Sequence, residues 1–324
     1  MKLNNNSRIF ISGHNGLVGS AIERVLKKNN YKNIYTIARN ELDLENYEHT
    51  LDFFNNNQFD LVIHCAAKVG GINANNSLPY DFLYKNLKIQ NNVINAAHLT
   101  NVNNLIFMGS SCIYPKNCPQ PIKEDFLLTG PLEITNRPYA LAKIAGIELC
   151  WSINKQFKRN YYCLMPTNLY GINDNYNLES SHVLPAIIRK VYEAIINKDQ
   201  IINLWGTGRP RREFLFSDDL AEAVLFMLNK KNFFDVFNDS ECPLINVGYG
   251  EDHTIKEIAE IIIKNFNTKL SIEFNHNMPD GTFQKLLSSS KLNSLGWTPK
   301  YTLEDGIKLT IDDFILNKDY YCGK

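Results

Sequence analysis

The sequence predicts an α/β protein, a doubly wound parallel sheet carrying a smaller C-terminal α/β lobe. Short apolar runs alternate with helical stretches over the first half of the chain, the pattern of parallel strands joined by crossover helices. A glycine-rich turn directly follows the first apolar run and opens the first helix. Beyond Pro166 the alternation loosens, as expected where a chain leaves one sheet to build a second lobe.

Residues 8–12, 34–38, 61–65, 105–108 and 161–165 read as the strands of the main sheet, with helices over 20–28 and 82–99 between them. A polar stretch follows over 171–181, then a helix over 183–197 and a strand over 201–205. Residues 218–229 are again helical and 245–247 strand-like, so the chain is expected to cross between lobes more than once. The expected division is a nucleotide-binding domain over 1–170, to which the chain returns around 214–247, and a mainly substrate-binding lobe over 171–324. The asparagine runs 4–6 and 55–57 read as compositional bias at the terminus and in a helix–strand connection.

Composition narrows the class. At 324 residues and 44% hydrophobic content the chain can bury a large core. Thirty-four basic and 34 acidic side chains balance, so no global charge favours nucleic acid or an anionic membrane, and a small-molecule substrate is expected. The N-terminus lacks an apolar signal core and no run approaches the roughly 20 apolar residues of a membrane span, which makes cytoplasmic residence the expectation. Seven cysteines without a Cys-x-x-Cys pair argue against a disulfide framework and against a metal site.

The turn Gly13-His14-Asn15-Gly16-Leu17-Val18-Gly19 carries the first site signal. Glycines there permit a tight turn and close backbone approach to a pyrophosphate, while the helix N-terminus offers amide donors, so this Rossmann-type turn predicts a dinucleotide. Its G-x-x-G-x-x-G spacing is that of short-chain dehydrogenases. Twenty positions on, where an NAD enzyme carries an acid for the ribose hydroxyls, stands Arg39. A guanidinium suits a 2′-phosphate, so NADP (NADPH) is the expected cofactor unless Arg39 is a solvated surface residue. Asp43 and Leu44 can flank the adenine, and Cys65, Ala66 and Ala67 put small side chains where the cofactor backbone passes.

The second signal is Tyr139 with Lys143, four apart and on one helical face. An ammonium near the phenol is expected to lower the tyrosine from about 10 towards the range useful for acid–base work. Tyr139 can then protonate a carbonyl oxygen as hydride reaches its carbon, Lys143 can bond the nicotinamide ribose, and Ser110 can polarise the same carbonyl. Cys112, two places after Ser110, is unnecessary for hydride transfer. It is either a small buried packing residue or the agent of a second chemistry, proton removal next to a carbonyl. Three cations, Arg209, Arg211 and Arg212, follow Trp205 within a few residues, which suits diphosphate clamping and stacking, or else a solvated basic loop.

Several stretches together resemble the GDP-L-fucose synthase family of the extended short-chain dehydrogenase/reductase superfamily, from about residue 8 to residue 306. They are Ala66-Ala-Lys-Val-Gly-Gly-Ile72, Gly109-Ser-Ser-Cys-Ile-Tyr-Pro115, Pro138-Tyr-Ala-Leu-Ala-Lys-Ile-Ala-Gly146, Met165-Pro-Thr-Asn-Leu-Tyr-Gly171, Ser181-His-Val-Leu-Pro185 and Pro279-Asp-Gly281. The resemblance implies NADPH-dependent conversion of GDP-4-keto-6-deoxy-D-mannose to GDP-L-fucose, by epimerisation at C3 and C5 and reduction at C4. It implies catalytic Ser110, Tyr139 and Lys143 for reduction, and Cys112 and His182 for epimerisation. It further implies cofactor contacts from the glycine turn, from Arg39, Asn40, Glu41, Leu42, Asp43 and Leu44, from Met108, Gly109, Ser110 and Ser111, from Pro166, Thr167, Asn168 and Leu169, and from Tyr139, Lys143 and His182. Trp205, Arg212 and Asp280 would contact the substrate, with Lys190 at the place of a substrate-binding arginine.

The chemistry is coherent. C3 and C5 both flank the C4 carbonyl, so each inversion can pass through an enolate whose oxygen is held by the groups that later serve reduction. Inversion needs a base on one face and an acid on the other, and a thiol near 8.5 with an imidazole near 6.5 can supply both at about neutral pH. Read without the resemblance, His182 is a helix-entry residue bonded to backbone. Two positions depart from the family: Asn15 stands where members often carry Arg, which leaves Arg39 more nearly alone in selecting NADP, and Lys190 replaces a guanidinium fork by a point charge. Alternatives are a related GDP-deoxysugar 4-ketoreductase with partial or no epimerase activity, such as one for a 6-deoxyheptose, and a catalytically silent NADP-sensing module. A homodimer through the helices around 82–99 and 139–157 is expected from the superfamily.

Overall fold

A computed structural model describes residues 3–229, 244–278 and 280–323. Pro279 and residues 230–243, part of the expected return to the first domain, lie outside them. At its centre is a parallel six-stranded sheet in the order β2 (Asn33–Tyr35), β1 (Arg8–Ser12), β3 (Leu61–His64), β4 (Asn104–Met108), β5 (Asn160–Pro166) and β9 (Leu244–Val247). The chain steps outward from β1 to β2 and then back across β1 to β3. That reversal opens a crevice beyond the carboxyl ends of β1 and β3, the place where open α/β sheets bind ligands.

Helices cover both faces. On one, α1 (Leu17–Lys28) and α7 (Ser217–Leu228) pack together over Ile9, Ile11, Leu61, Ile63 and Ile245. On the other, α2 (Tyr47–Asn57), α4 (Pro79–Leu99) and α5 (Arg137–Phe157) close over Phe10, Val62, Leu105, Phe107 and Cys163. Strands buried on both faces explain the continuous apolar runs in the sequence. Phe10 anchors an aromatic cluster, 5.6 Å from Phe54 and 5.2 Å from Phe59 between ring centres. A short helix, α3 (Ile72–Ser77), precedes α4.

The second lobe is built from α6 (Val183–Asn197), α8 (Ile255–Asn265) and α10 (Leu303–Leu316), which enclose Tyr170, Tyr176, Ile188, Phe214 and Phe314. Its strands are β6 (Asn168–Tyr170), β7 (Ile201–Trp205), β8 (Arg211–Phe216), β10 (Asp252–Thr254), β11 (Ser271–Asn275) and β12 (Gln284–Lys285), where β8 lies between β10 and β12 and also pairs with β6, while β7 pairs with β11. Short helices α9 (Ser290–Ser294) and α11 (Lys318–Cys322) complete the chain. Among the described residues no helix is long and apolar enough to cross a membrane.

Local differences from the sequence reading have identifiable causes. The strand expected over 34–38 stops at Tyr35, because the Ala38 carbonyl turns to accept from the amides of Glu41 and Leu42. Asn55 to Asn57 form the last turn of α2 instead of a connection, and the helix ends at Gln58, whose φ of 48° is left-handed. Helix α4 begins three residues earlier than read, at Pro79, since a proline at the first helical position forfeits no intrahelical bond.

Candidate active site

The glycine turn lies in the crevice. Gly13 adopts φ +74°, and a Cβ there would stand 2.8 Å from the Ala66 nitrogen, so the turn rests on the backbone leaving β3. A Cβ on Gly19 would come within 2.3 Å of the Gly13 oxygen. Only hydrogen fits at either place. Gly16 caps α1 without a side-chain acceptor and no acidic residue occupies the first turn, which leaves the helix N-terminus free for a phosphate. The bare backbone at Gly13 and the uncapped helix fit a dinucleotide. Ala66 is fixed by its backbone N–H, which donates to Ser12 Oγ at 3.3 Å.

Arg39 follows β2, its side chain 76% exposed and paired with Glu45 at 2.8 Å. With its own end in solvent the guanidinium gains little from this one partner, so it can be redirected to a ligand phosphate at little cost. Around it, the Glu41 carboxylate accepts from the Ala38 amide, Asp43 from the Glu45 amide, and Leu42 is buried. Asn15 presents its carbonyl to Asn173 Nδ2 at 3.1 Å, tying the glycine turn to the polar stretch before α6. At the end of β5, the Thr167 amide donates to the Val247 carbonyl and Asn168 Nδ2 to the Glu213 carbonyl. These bonds fix the segment Pro166 to Leu169 between the two lobes.

The acid–base groups gather past the end of β4. Lys143 is almost fully buried, and its Nζ donates to the Met108 carbonyl at 2.8 Å. It sits 4.7 Å from the Phe107 ring centre and 5.8 Å from that of Tyr139. Burial pushes Lys143 down to about 8, against the opposing pull of Cys65 and Cys163. Against the expectation that Lys143 lowers Tyr139, burial, then the nearby Cys112, raise the phenol above its ordinary value, and the hydrogen bond from Ser110 only partly offsets them. Desolvation outweighs an ammonium committed to a backbone carbonyl. Ser110 Oγ also accepts from the Cys112 amide at 3.2 Å, beginning the short 3₁₀ turn Ser111–Ile113 that carries the thiol.

Cys112 is half-buried, and two nitrogens approach its sulfur at 3.5 Å each: Asn136 Nδ2 and Lys285 Nζ. The Asn136 backbone N–H donates to Glu133 Oε2 at 3.2 Å. Burial alone would raise the Glu133 carboxyl, but bonds from Thr135 and Asn136 outweigh it and hold it below its usual range. Asn136 Oδ1 is buried and meets no donor among the described residues, leaving an acceptor for a bound hydroxyl. Sequence reasoning missed both partners. Asn136 lies three residues before Tyr139, whereas Lys285 follows the Pro279-Asp-Gly281 stretch with no local signal.

His182 caps α6 with no side-chain capping bond. Its side chain is exposed, yet the protein around it reduces hydration enough to hold the imidazole below its ordinary value. The residues before it are fixed by the Gly71 amide, which donates to the Ser180 carbonyl at 3.3 Å. From there a wall continues to Arg212: a Cβ on Gly281 would stand 3.4 Å from both Ile72 Cδ1 and Arg212 Nη2. The structure thus gathers Ser110, Cys112, Tyr139 and Lys143 closely, with Arg212 beside them and His182 on the adjoining wall.

The three arginines do not converge, contrary to the reading of the run as a phosphate clamp. Arg211 and Arg212 are adjacent on β8 and point to opposite faces. Arg211 is engaged by Asp252 at 2.6 Å, and Arg209 lines a separate groove with Lys256 and Lys264. Arg212 alone faces the thiol; burial lowers its pKa while Asp280 and Cys112 act in its favour. Asp280 accepts from the Thr207 amide at 2.6 Å and so shapes the turn after the half-exposed Trp205, and Lys190 Nζ donates to the Asn203 carbonyl at 2.7 Å.

Comparison with known proteins adds to this geometry. Residues 9–239 match the model of the NAD dependent epimerase/dehydratase family. Over 319 residues, 98% of this chain and 99% of the other, the sequence is 46% identical to a GDP-L-fucose synthase of Escherichia coli (strain K12). Among solved structures, a GDP-6-OMe-4-keto-L-xylo-heptose reductase from C. jejuni superposes with a TM-score of 0.93 at 35% identity, covering 98% of this chain and 100% of that one. A GDP-L-fucose synthetase from Naegleria fowleri bound to NADP superposes with a TM-score of 0.87 at 29% identity, covering 98% and 97%.

Proposed function

This chain belongs to the NAD dependent epimerase/dehydratase family and, within it, to the GDP-L-fucose synthases, and from that premise we propose how its own residues carry the reaction. It is an NADP-dependent enzyme that converts GDP-4-keto-6-deoxy-D-mannose to GDP-L-fucose, inverting C3 and C5 and then reducing C4. The observation that carries the reading is a single cluster in which Cys112 shares its surroundings with Ser110, Tyr139 and Lys143.

The cofactor would be held by the Gly13 to Gly19 turn, Arg39 to Leu44, Ala66, Ala67, Met108 to Ser111 and Pro166 to Leu169, where it supplies the hydride for C4. Ser110 and Tyr139 bind the C4 oxygen. During epimerisation they stabilise the enolate; during reduction Tyr139 gives that oxygen a proton. Cys112 and His182 remove and return the protons at C3 and C5 from opposite faces of the ring. Arg212, Trp205, Asp280 and Lys190 hold the GDP portion, the first by charge and the second by stacking. In this reading residues 1–170, with the return around 214–247, form the cofactor domain, and 171–324 mainly the substrate lobe. We place the enzyme in the cytoplasm as a homodimer joined through α4 and α5, whose Tyr80, Tyr84 and Leu141 are exposed.

Incubation with GDP-4-keto-6-deoxymannose and NADPH, followed by NMR of the product, tests this. GDP-L-fucose is expected. GDP-rhamnose would mean reduction without inversion and would overturn the epimerase assignment. The likeness to a heptose reductase supports a second reading, a 4-ketoreductase for another GDP-deoxysugar. Solvent deuterium entering C3 and C5 without NADPH separates the two, since a simple reductase gives no exchange.

A further inference from the structure

We propose that Lys285 is a positioning residue of the epimerase half-reaction, its ammonium facing the Cys112 sulfur where it can balance the charge that the sulfur carries during proton transfer at C3 and C5. The proposal rests on the reaction described above and adds a residue to it. Lys285 belongs to β12, two residues in parallel register with Arg211 and Arg212. Tertiary bonds on both sides set that register. The Leu286 amide donates to Gln120 Oε1 at 2.8 Å, the Leu287 amide to the buried Glu213 Oε2 at 3.0 Å, and the Ile122 amide to the Leu286 carbonyl at 2.7 Å. The Lys285 side chain thereby reaches Cys112 from a segment 173 residues away, and Nζ stops 3.5 Å from Sγ.

The chemistry of the contact is selective. A neutral thiol is a weak acceptor, whereas a thiolate accepts strongly. Here two donors, Lys285 Nζ and Asn136 Nδ2, converge on one sulfur. Among the described residues Lys285 has no carboxylate within ion-pair distance, so Sγ is its resting partner. The other groups facing this sulfur are the Arg212 guanidinium and the Tyr139 phenol, while Cys118 also feels Lys285. When Sγ takes a proton from carbon, the C–H electron pair passes to the C4 oxygen and the sulfur becomes neutral; release of that proton restores the thiolate beside an ammonium that has not changed. Arg212, in register with Lys285, is the cation that remains to serve the diphosphate.

The test uses the full chain with Lys285→Met and Lys285→Arg. The first measurement is the rate of iodoacetamide capture at Cys112 in the free enzyme at neutral pH, read on the Cys112 peptide by mass spectrometry. The second is solvent deuterium exchange at C3 and C5, with NADPH affinity as the check on folding. Removing a cation this close should slow Cys112 capture and exchange by about tenfold or more in Lys285→Met, with NADPH affinity and KM little changed. Lys285→Arg should retain most of both rates. If Lys285→Met does not bind NADPH, Lys285→Gln makes the same comparison. Wild-type capture and exchange rates with a raised KM would overturn the proposal and make Lys285 a phosphate contact. If the wild type itself shows no exchange, the assigned reaction falls, while the capture rates still decide whether Lys285 controls Cys112.

Discussion

Lys143 donates to the Met108 carbonyl at 2.8 Å, which fixes its Nζ past the end of β4 and 5.8 Å from the centre of the Tyr139 ring. The ammonium is thus anchored by a backbone carbonyl and keeps two donors for the site. Burial holds it at about 8 instead of 10.5. Between those values the unfolded chain binds the proton that the folded chain has lost, so this group's contribution to stability rises with pH across the window. Lys143→Met lacks the titration. Urea unfolding of the two proteins between pH 8 and pH 10 should show wild type gaining relative to the variant, and parallel curves would contradict the burial argument. The same variant should lose C4 reduction by about a hundredfold or more, measured as NADPH consumption.

Cys112→Ser keeps the approximate volume and the hydrogen bond from the backbone N–H of residue 112 to Ser110 Oγ but removes an acid–base group. Exchange of solvent deuterium into C3 and C5 should fall by about a hundredfold or more, with NADPH affinity unchanged. Unaltered exchange would return Cys112 to the status of a packing residue.

Arg39 holds only an exposed bond to Glu45. Arg39→Ala should therefore leave the melting temperature nearly unchanged and weaken NADPH binding by about ten- to a hundredfold, the worth of a charge-assisted contact. NADH affinity should not move. Equal losses for both cofactors, measured by fluorescence titration, would remove Arg39 from the selection of the 2′-phosphate.

Arg211 and Arg212 should separate cleanly. Arg211→Ala leaves Asp252, whose side chain is 7% exposed, without its cation, at a cost of about 1–3 kcal/mol in urea unfolding. Arg212→Ala should instead raise KM for the GDP-sugar about tenfold or more, with little loss of stability, because the lost contact is to ligand. The reverse pattern would exchange their roles.

Much of the cofactor half was legible in the sequence because its signals are local. Gly13 and Gly19 announce a turn that only glycine can make, Tyr139 and Lys143 share a helical face by spacing alone, and the alternation of apolar runs gives a parallel sheet. Errors appeared where a nonlocal contact decides. Three arginines in sequence look like one clamp, but strand alternation and the position of Asp252 draw Arg211 away from Arg212. The lowering of Tyr139 by Lys143 followed from proximity, whereas desolvation, a property of the folded surroundings, sets the opposite direction.

The sequence by itself determined the class of this protein and the identity of its reacting groups, since these depend on residue types at fixed short spacings. Tertiary structure decided what surrounds those groups. Cys112 meets Asn136 across a helix cap, and it meets Lys285 only because β12 is bonded between β8 and the segment around Gln120. No periodicity encodes a contact across 173 residues; it exists because two chain segments that must satisfy their backbone hydrogen bonds do so against the same neighbours.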